Sequence, residues 1–423
     1  MGLINLWRIV MKTKSKKQLN ARRFLNPECL EQYLIPFTEE LAQKGFTSLT
    51  IAGYFDGVAH FGTWLKKQGK QINDIDLNCT DDFAKHRCNC PGGRQTEILS
   101  KKYVKRVLKF VIYLDKKGVI DLGTAPYKSI PPLIALFSEY LHQRGLSPLT
   151  IKKYQASVSI LIPKLGSSTE KYEPTLIQQV ICDLTQPLSR GGAKSVTVAL
   201  RSYLRFLSLE GLCPPDLDKA VPSIAQWKLS SMPRYIESND VELVINACDI
   251  NTHIGLRDRA IILLLARLGL RAGDIVNMRT NDINWSEGTL TVWGKGQKES
   301  RLPLPQDTGD AILVYLDKVR PRVALKALFL CINAPYRALG NSPCVSNIAR
   351  AALLRSGVAN LPFHGAHLLR HSAATSLLRE GATLETVSAL LRHSSLDMTV
   401  YYAKVDIPNL LKITQPWPEK ISC

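Results

Sequence analysis

The sequence lacks any apolar run long enough to cross a membrane. Its most apolar stretch, AIILLLARLGL, is interrupted by Arg267 after seven residues, whereas a transmembrane helix needs about 20. The positive charges near the start follow the apolar residues, which is the wrong order for a secretory signal. The remaining composition, with 45% hydrophobic residues, is ordinary for a globular protein. We therefore expect a cytoplasmic protein with no membrane partner.

Acidic residues are in short supply. The chain has 36 Asp and Glu against 55 Lys and Arg, which gives a formal net charge of +19. Such an excess suits a polyanionic partner, and nucleic acid is the usual one. A protein that is merely basic and soluble is the alternative that charge alone leaves open.

Cysteine pairs at zinc-finger spacing are also lacking. The ten cysteines are scattered, and only His86, Cys88 and Cys90 fall close together, in HRCNCPGG. No second pair stands at the distance that a zinc finger requires. We therefore predict no metal ligands and no cofactor, and we interpret the cysteines as reduced thiols.

A segment of about 90 residues is present twice. FTEELAQKGFTSLTIAGY begins at Phe37, and FSEYLHQRGLSPLTIKKY begins at Phe137. Later in each copy, LKFVIYLDKKG aligns with LRSYLRFLSLEG at a slightly smaller offset. Both copies have apolar residues at helical spacing. The pattern predicts two tandem helical domains, residues 29–125 and 126–213.

The remaining segments differ from these two. Residues 1–28 form a predicted basic arm, because the first 23 residues contain seven Lys or Arg and no acid. Residues 214–233 are rich in Pro and polar residues and are interpreted as a linker. Residues 234–412 form a C-terminal domain, followed by a tail, 413–423. Within that domain, INWSEGTLTVW and SRLPLP are strand patterns, so the fold class is mainly α with a small antiparallel β-sheet.

The C-terminal domain contains a set of residues suited to phosphate chemistry. His367 and Arg370, in HLLRHS, are three residues apart and share a helix face. His393 follows in LRHSS, and Tyr401 and Tyr402 come eight and nine residues after it. Two further basic residues stand upstream, Arg271 in GLR and Lys295 in the turn GKGQK.

These motifs, in this order, resemble those of the tyrosine recombinases, or phage integrase family, close to the Xer-like integrases. The resemblance is strong over roughly residues 230–405 and weaker before. Each copy of the repeat resembles the SAM-like core-binding domain that precedes the catalytic domain in this family. Simple members have one such domain, whereas two are expected here. The resemblance implies two helical DNA-binding modules followed by a mixed α/β catalytic domain.

Metal-free transfer of a DNA strand needs these residue types. The guanidinium forks of Arg271 and Arg370 can each bond two phosphate oxygens and stabilise developing negative charge. A tyrosine hydroxyl can attack phosphorus and remain as an ester. Lys295 can protonate the leaving 5′ oxygen if neighbouring cations lower its pKa. The two histidines can donate to phosphate oxygens or handle the tyrosine's proton.

The resemblance assigns the same roles. It implies Tyr402 as the nucleophile of a 3′-phosphotyrosyl link and Lys295 as the general acid. It implies assisting roles for His367 and His393, and a supporting role for Asp274 beside the first arginine. The expected function is site-specific recombination or integration of a mobile element.

The resemblance also implies the partners. Double-stranded DNA is the substrate, four protomers synapse two sites and pass through a Holliday junction, and sister recombinases are a further option. Neither ATP, a metal nor a small-molecule cofactor is required, and the DNA-bound protein is expected to be nucleoid-associated. A non-catalytic DNA-binding regulator and a relaxing topoisomerase are the rival hypotheses.

Two choices of residue rest on the family pattern. Lys298 is also on the turn, but the first lysine of GKG fits the family better, which favours Lys295. Tyr401 adjoins Tyr402, and the family's nine-residue gap from the last histidine selects Tyr402. Tyr401 is then expected to be a packing residue.

Four neighbouring residues receive structural interpretations. His371 is expected to be structural, and Trp293 to belong to the core. Arg267 is interpreted as a solvated helix residue rather than a phosphate contact. Arg392 stands where many members have Gly, a variation that is tolerated if the backbone there is not left-handed.

Overall fold

The computed structural model describes residues 28–90, 99–122, 132–166, 168–225, 232–294, 299–393, 395 and 397–405. Nearly all of the predicted arm and the whole predicted tail lie outside the described residues. Lys295 and Lys298 lie outside them as well.

The described residues form a mainly helical protein with one small sheet, as the sequence predicts. The helices of the first half are α1 (Glu31–Gln43), α2 (Ser48–Lys67), α3 (Leu77–Lys85), α4 (Lys101–Lys116), α5 (Pro132–Gln143), α6 (Pro148–Leu165), α7 (Pro174–Thr185) and α8 (Arg190–Leu209). Across all described segments, no helix combines the length and the apolar character that a membrane span needs.

The second half contains the sheet. Its elements are α9 (Ser238–Asn246), α10 (His253–Arg267), α11 (Ala272–Asn277), β1 (Ile283–Asn284), β2 (Thr289–Trp293), β3 (Glu299–Pro303), α12 (Gln306–Lys318), α13 (Ser342–Arg355), α14 (Ala366–Arg379), α15 (Leu384–Leu391) and α16 (Asp397–Ala403). The strands pair in the order β1-β2-β3, all antiparallel.

The chain divides into two compact units. One unit is residues 122–228, and the other combines residues 1–121 with 229–423. The domain boundaries drawn from the sequence are finer than this division and stay predictions.

The first four helices pack around aromatic side chains. Phe37 of α1 contacts Phe110 and Tyr113 of α4, with ring centroids 5.1 Å apart in both pairs. The local sequence explains where α2 begins, because the Thr47 hydroxyl accepts a hydrogen bond from the Thr50 N–H at 3.3 Å and so caps a free helix N–H.

Among the described residues, the unit formed by residues 122–228 contains four helices, α5 to α8, which pack around a core of their own. Phe137 of α5 contacts Tyr203 of α8 at 5.2 Å, and Ser147 caps α6 through the Thr150 N–H at 3.3 Å. The start of the predicted linker also packs here, because Leu217 and Val221 are buried in this core. Residues 214–221 therefore pack with the helices that precede them.

The core of the second half is built around α10. Its residues Ile261, Ile262 and Leu264 are fully buried, because α10 packs against α9, α12 and α14. The sheet covers one side of this core with alternating residues, and Leu290 pairs with Leu302 across β2 and β3. In the sequence, Lys295 falls between β2 and β3.

Candidate active site

Four elements bring the predicted site residues together. His367 and Arg370 lie on α14, and Arg271 immediately precedes α11. His393 follows α15, and Tyr402 lies on α16. Helix α14 packs against both α15 and α16, so the site is assembled from segments that are distant in sequence.

Arg370 is buried at the centre of the site. Its side chain is 4% exposed, and its guanidinium donates to the carbonyl oxygens of Gly269 and, at 2.7 Å, of Leu391. A side chain at Gly269, where φ is +57°, would lie 2.7 Å from Leu391, so this close approach requires glycine. Burial and, to a smaller extent, the nearby charge of Arg271 together lower the pKa of Arg370 to about 10. Arg370 is therefore a fixed cation at neutral pH.

Arg271 is held at the start of α11. Its backbone N–H donates to Asp274 Oδ2 at 2.9 Å, and its Nη2 donates to the Arg392 carbonyl at 3.3 Å. Its side chain stays partly exposed, which suits a group that must meet a phosphate. Asp274 thus positions the backbone that carries Arg271, consistent with the predicted supporting role.

The two adjacent tyrosines have different surroundings. Tyr402 is 2% exposed, and its hydroxyl lies 2.6 Å from His371 Nδ1. Burial raises the pKa of Tyr402 to about 12, although the charges of Arg370 and Arg271 oppose that rise. The Tyr401 hydroxyl instead donates to the Met232 carbonyl at 2.8 Å. Of the two hydroxyls, that of Tyr402 is the one placed among the site residues.

His371 contacts the site directly, which corrects the expectation that it is only structural. Burial and, to a smaller extent, His367 and Arg370 together lower its pKa to about 4. Its ring is therefore neutral at pH 7, and Nδ1 can accept the hydrogen of the Tyr402 hydroxyl. The sequence did carry a signal for this, because His371 is four residues after His367 and lies on the same helix face.

The two predicted histidines occupy different positions. His393 stacks beside Tyr402, with centroids 6.4 Å apart and ring planes 12° from parallel, and its Nδ1 pairs with Thr399 Oγ1 at 2.7 Å. Burial, Arg370 and Arg271 lower its pKa to about 4. His367 is exposed, although partial desolvation and then Arg370 and Arg271 still lower its pKa. Both rings can therefore act as neutral hydrogen-bonding groups at pH 7.

Arg392 adopts the backbone conformation that the sequence analysis assumed to be absent. Its φ is +52° and its ψ +54°, in the left-handed region, which costs a non-glycine residue of order 1 kcal/mol or more. Its buried side chain forms an ion pair with Asp274. Among the described residues, no hydrogen-bond partner is found for its Nε and Nη1. The ion pair therefore offsets the strain of a position that suits glycine.

Trp293 and Arg267 also differ from their predicted environments. Trp293 is 49% exposed rather than in the core, and it lines a cleft of about 550 Å³ together with Asp282, Gly294 and Lys326. Gly294 is the residue before Lys295 in the sequence. Arg267 is not simply solvated, because it forms ion pairs with Glu242 at 2.6 Å and with Asp307 at 2.8 Å.

The Asp274–Arg392 pair gives a prediction on stability. Asp274→Ala leaves a buried, unpaired guanidinium, which typically costs 3–5 kcal/mol, so we expect a loss of about 3 kcal/mol in the free energy of unfolding. In an Arg392→Gly background the same change removes only a cap, and we expect a loss of about 1 kcal/mol. Urea denaturation of the four proteins of this cycle measures the difference. Equal losses in both backgrounds would show that the two side chains are not coupled.

The partly buried His371 predicts that the protein is less stable in acid. The pKa of His371 is about 4 in the folded protein against 6.5 for a free histidine, so between these pH values only the unfolded chain takes up this proton. Stability contributed by neutral His371 is therefore present above pH 6.5 and is lost as the pH falls towards 4. We expect His371→Asn to narrow the gap between the urea midpoints measured at about pH 7 and about pH 5. The same change at the exposed His142 should leave the gap as it is, and an unchanged gap in His371→Asn would contradict the prediction.

Comparison with known proteins identifies the class. The model of the phage integrase family matches residues 234–407. The integrase/recombinase y4rA of Sinorhizobium fredii is 33% identical over 91% of this chain and 94% of its own length. The chain belongs to the phage integrase family, the tyrosine recombinases, which are DNA strand transferases.

Solved structures agree on the fold. The XerH site-specific recombinase bound to a palindromic difH substrate, in a post-cleavage complex, matches with a TM-score of 0.52 and 19% identity, over 64% of this chain and 80% of that one. A lambda integrase tetramer bound to a Holliday junction matches with a TM-score of 0.50 and 16% identity, over 70% of this chain and 86% of that one. The predicted fold is confirmed as mainly helical with a small antiparallel sheet, and the duplicated helical modules stay a prediction.

Proposed function

We propose that the chain is a site-specific recombinase or integrase of a mobile element that cuts and rejoins duplex DNA through a 3′-phosphotyrosyl intermediate. The observation that carries the proposal is the position of the Tyr402 hydroxyl. It lies 2.6 Å from His371, and its pKa responds to the charges of Arg370 and Arg271. The residues proposed as nucleophile, proton acceptor and phosphate-binding cations lie on three elements, which are α16, α14 and the start of α11.

The reaction is a transfer between oxygens at phosphorus. The Tyr402 oxygen attacks the scissile phosphate, a tyrosyl–phosphorus bond forms, and the bond from phosphorus to the 5′ oxygen breaks. The hydroxyl proton passes to His371 or to solvent, and a proton is delivered to the leaving 5′ oxygen. In the second step, the 5′ hydroxyl of the partner strand attacks and releases the tyrosine, so the ester bond energy is conserved.

The other site residues act on the phosphate. Arg271 and Arg370 bind its non-bridging oxygens and stabilise the charge that develops there. Lys295 is the proposed general acid. His367 and His393 donate hydrogen bonds to the phosphate, because neutral imidazole still carries one N–H.

The described conformation holds the nucleophile in a resting state. Tyr402 is 2% exposed, so a phosphate cannot reach its hydroxyl without a shift of α16. DNA binding would supply the free energy, because a phosphate bound between Arg271 and Arg370 favours a conformation in which the tyrosine faces it.

We propose that the two sets of four helices are tandem DNA-binding modules that arose by duplication. Corresponding positions support this: Phe37 and Phe137 are both buried. The Thr50 and Thr150 N–H groups both donate to the preceding cap at 3.3 Å. Exposed lysines on both sets, including Lys101, Lys102, Lys152 and Lys153, provide cations for DNA phosphates.

We further propose that a homotetramer forms on two synapsed sites. The lambda integrase structure that shares this fold is a tetramer on a Holliday junction. Strand exchange between two duplexes involves four cut strands, and each protomer offers one nucleophile.

The experiment is covalent capture. The purified chain is incubated with the end sequences of its own element, supplied as nicked duplexes and as junctions, and then denatured in SDS. We expect a protein–DNA adduct that resists SDS and disappears after proteolysis. The same protein should not relax a supercoiled plasmid without these ends, since indiscriminate relaxation would indicate a topoisomerase. Tight, salt-sensitive binding that never yields an adduct would instead indicate a non-catalytic regulator.

A further inference from the structure

Four side chains with metal-binding atoms meet in the first set of helices, outside the candidate active site. His60 lies on α2, and His86, Cys88 and Cys90 follow α3. Their nitrogen and sulfur atoms all lie within 4.8 Å of one another. His60, Cys88 and Cys90 are 2%, 6% and 5% exposed. The recombination chemistry uses none of them.

The distances between these atoms suit a tetrahedral ion. Cys88 Sγ lies 3.3 Å from His60 Nε2, and Cys90 Sγ lies 3.8 Å from His86 Nε2. Zinc bonds of about 2.3 Å to sulfur and about 2.05 Å to nitrogen place neighbouring ligands about 3.6 Å apart at the tetrahedral angle. The two observed distances lie on either side of that value.

Hydrogen bonds fix the tautomer of His60. The Tyr103 hydroxyl donates its single hydrogen to the Asp56 carbonyl at 3.1 Å. It can therefore only accept from His60 Nδ1, which lies 3.2 Å away. The proton of the neutral ring is then on Nδ1, and the lone pair of Nε2 is directed at Cys88.

The same arrangement is found at His86. Its Nδ1 lies 2.5 Å from the Phe83 carbonyl oxygen, and a carbonyl can only accept a hydrogen bond. The proton is again on Nδ1, and the Nε2 lone pair is directed at Cys90. Metal-binding histidines usually donate the second ring N–H to a carbonyl, a carboxylate or water, which orients the ring.

The surroundings of the cluster are apolar. The Phe83 ring packs on His60 at 5.1 Å and on His86 at 4.9 Å, and Trp64 packs on His86 at 5.9 Å. Two thiolates and two neutral imidazoles around a divalent cation carry no net charge, so burial costs little. Four protein ligands leave no open position for a substrate, which is typical of structural zinc sites.

We propose that His60, His86, Cys88 and Cys90 bind one zinc ion, which fastens α2 to the segment after α3. Thiol–imidazole hydrogen bonds explain each Cys–His pair separately, but they do not explain why all four atoms converge. Cys₂His₂ ligation favours zinc among the divalent ions. The ion stabilises the first helical module, because a site of this kind forms only in the folded chain.

This proposal revises the prediction of no metal ligands. HRCNCPGG supplied three ligands, but no second pair stood at zinc-finger spacing. The fourth ligand, His60, is 26 residues before His86, inside an apolar helix where a histidine is expected to be a core residue. Only the packing of α2 against the segment after α3 brings it to the cluster.

The test is metal analysis of the full-length chain. The untagged protein is produced in zinc-supplemented medium and purified with a reductant, and its zinc is measured by mass spectrometry. We expect about one zinc per chain. Cys88→Ser/Cys90→Ser should lose at least about four-fifths of that zinc, while the control Cys182→Ser/Cys344→Ser, outside the cluster, should keep it. Equal zinc in both double variants would overturn the proposal.

A second measurement needs only the wild-type protein, since the cluster variant may unfold. Zinc is removed with a chelator, the chelator is washed out, and the zinc-free protein is divided between a sample that receives cobalt(II) and a sample that receives zinc. We expect the intense visible absorption of tetrahedral cobalt together with thiolate-to-cobalt charge transfer, and a rise in the midpoint of thermal unfolding when zinc is restored. The site would be refuted by a folded wild-type protein that contains less than about 0.1 zinc ions per chain and shows no visible absorption from bound cobalt.

Discussion

Tyr402→Phe is expected to abolish the covalent protein–DNA adduct, whereas Tyr401→Phe is expected to retain it. Phenylalanine removes the only atom that can form the phosphotyrosyl bond and keeps the ring that stacks beside His393. Loss of a nucleophile lowers turnover by on the order of 10⁴-fold or more, which places the adduct below detection. The measurement is the amount of SDS-resistant adduct that each protein forms on the same DNA substrate at the same protein concentration.

Tyr401→Phe is a matched control, because each variant loses one hydroxyl and one hydrogen bond. Tyr401 loses its bond to the Met232 carbonyl, and Tyr402 loses its bond to His371. Each loss costs about 1 kcal/mol of stability, so both proteins should fold and bind DNA. An adduct that is absent only in Tyr401→Phe would show that the nucleophile is Tyr401 and not Tyr402. An adduct that persists in both variants would exclude tyrosine catalysis at this site.

The sequence predicted the parts of this site that depend on residue type and local spacing. Arg370 and His367 could be placed on one helix face, and β2 and β3 pair antiparallel as expected. The prediction of phosphate chemistry rested on the resemblance of these residues, in type and order, to the motifs of the tyrosine recombinases.

Features that depend on contacts between distant segments were missed or wrongly interpreted. Arg392 adopts a left-handed conformation because Asp274, 118 residues before it, holds its side chain. Trp293 is apolar, but it is the last residue of β2 and lines a cleft. His371 meets Tyr402 only because α16 packs on α14. Local spacing places His371 on the same helix face as His367, but it does not predict that α16 brings Tyr402 to that face.

Arg370→Lys is expected to slow DNA cleavage strongly while leaving DNA binding nearly unchanged. The guanidinium of Arg370 donates to the carbonyls of Gly269 and Leu391 at once. These two bonds fix the plane of the guanidinium, and its other N–H groups are proposed to bond the phosphate. A lysine ammonium is a point charge without that fork, so it cannot keep the carbonyls and also bond two phosphate oxygens. Removal of one preorganised donor from a transition state typically costs 10²–10³ in rate, and we expect a loss of about that size.

The chain offers a matched control on the same helix. Arg379 is 40% exposed and pairs with Glu237 at 2.6 Å, so Arg379→Lys makes the same substitution where no phosphate is proposed to bind. Single-turnover cleavage at saturating DNA separates the chemical step from binding. Arg379→Lys should cleave within about threefold of the wild type, since an exposed ion pair contributes little. Equal slowing of both variants would place the effect in the packing of α14 rather than in phosphate binding. If instead only Arg370→Lys slows and DNA affinity holds, the buried guanidinium acts in the transition state, which is the role proposed for it.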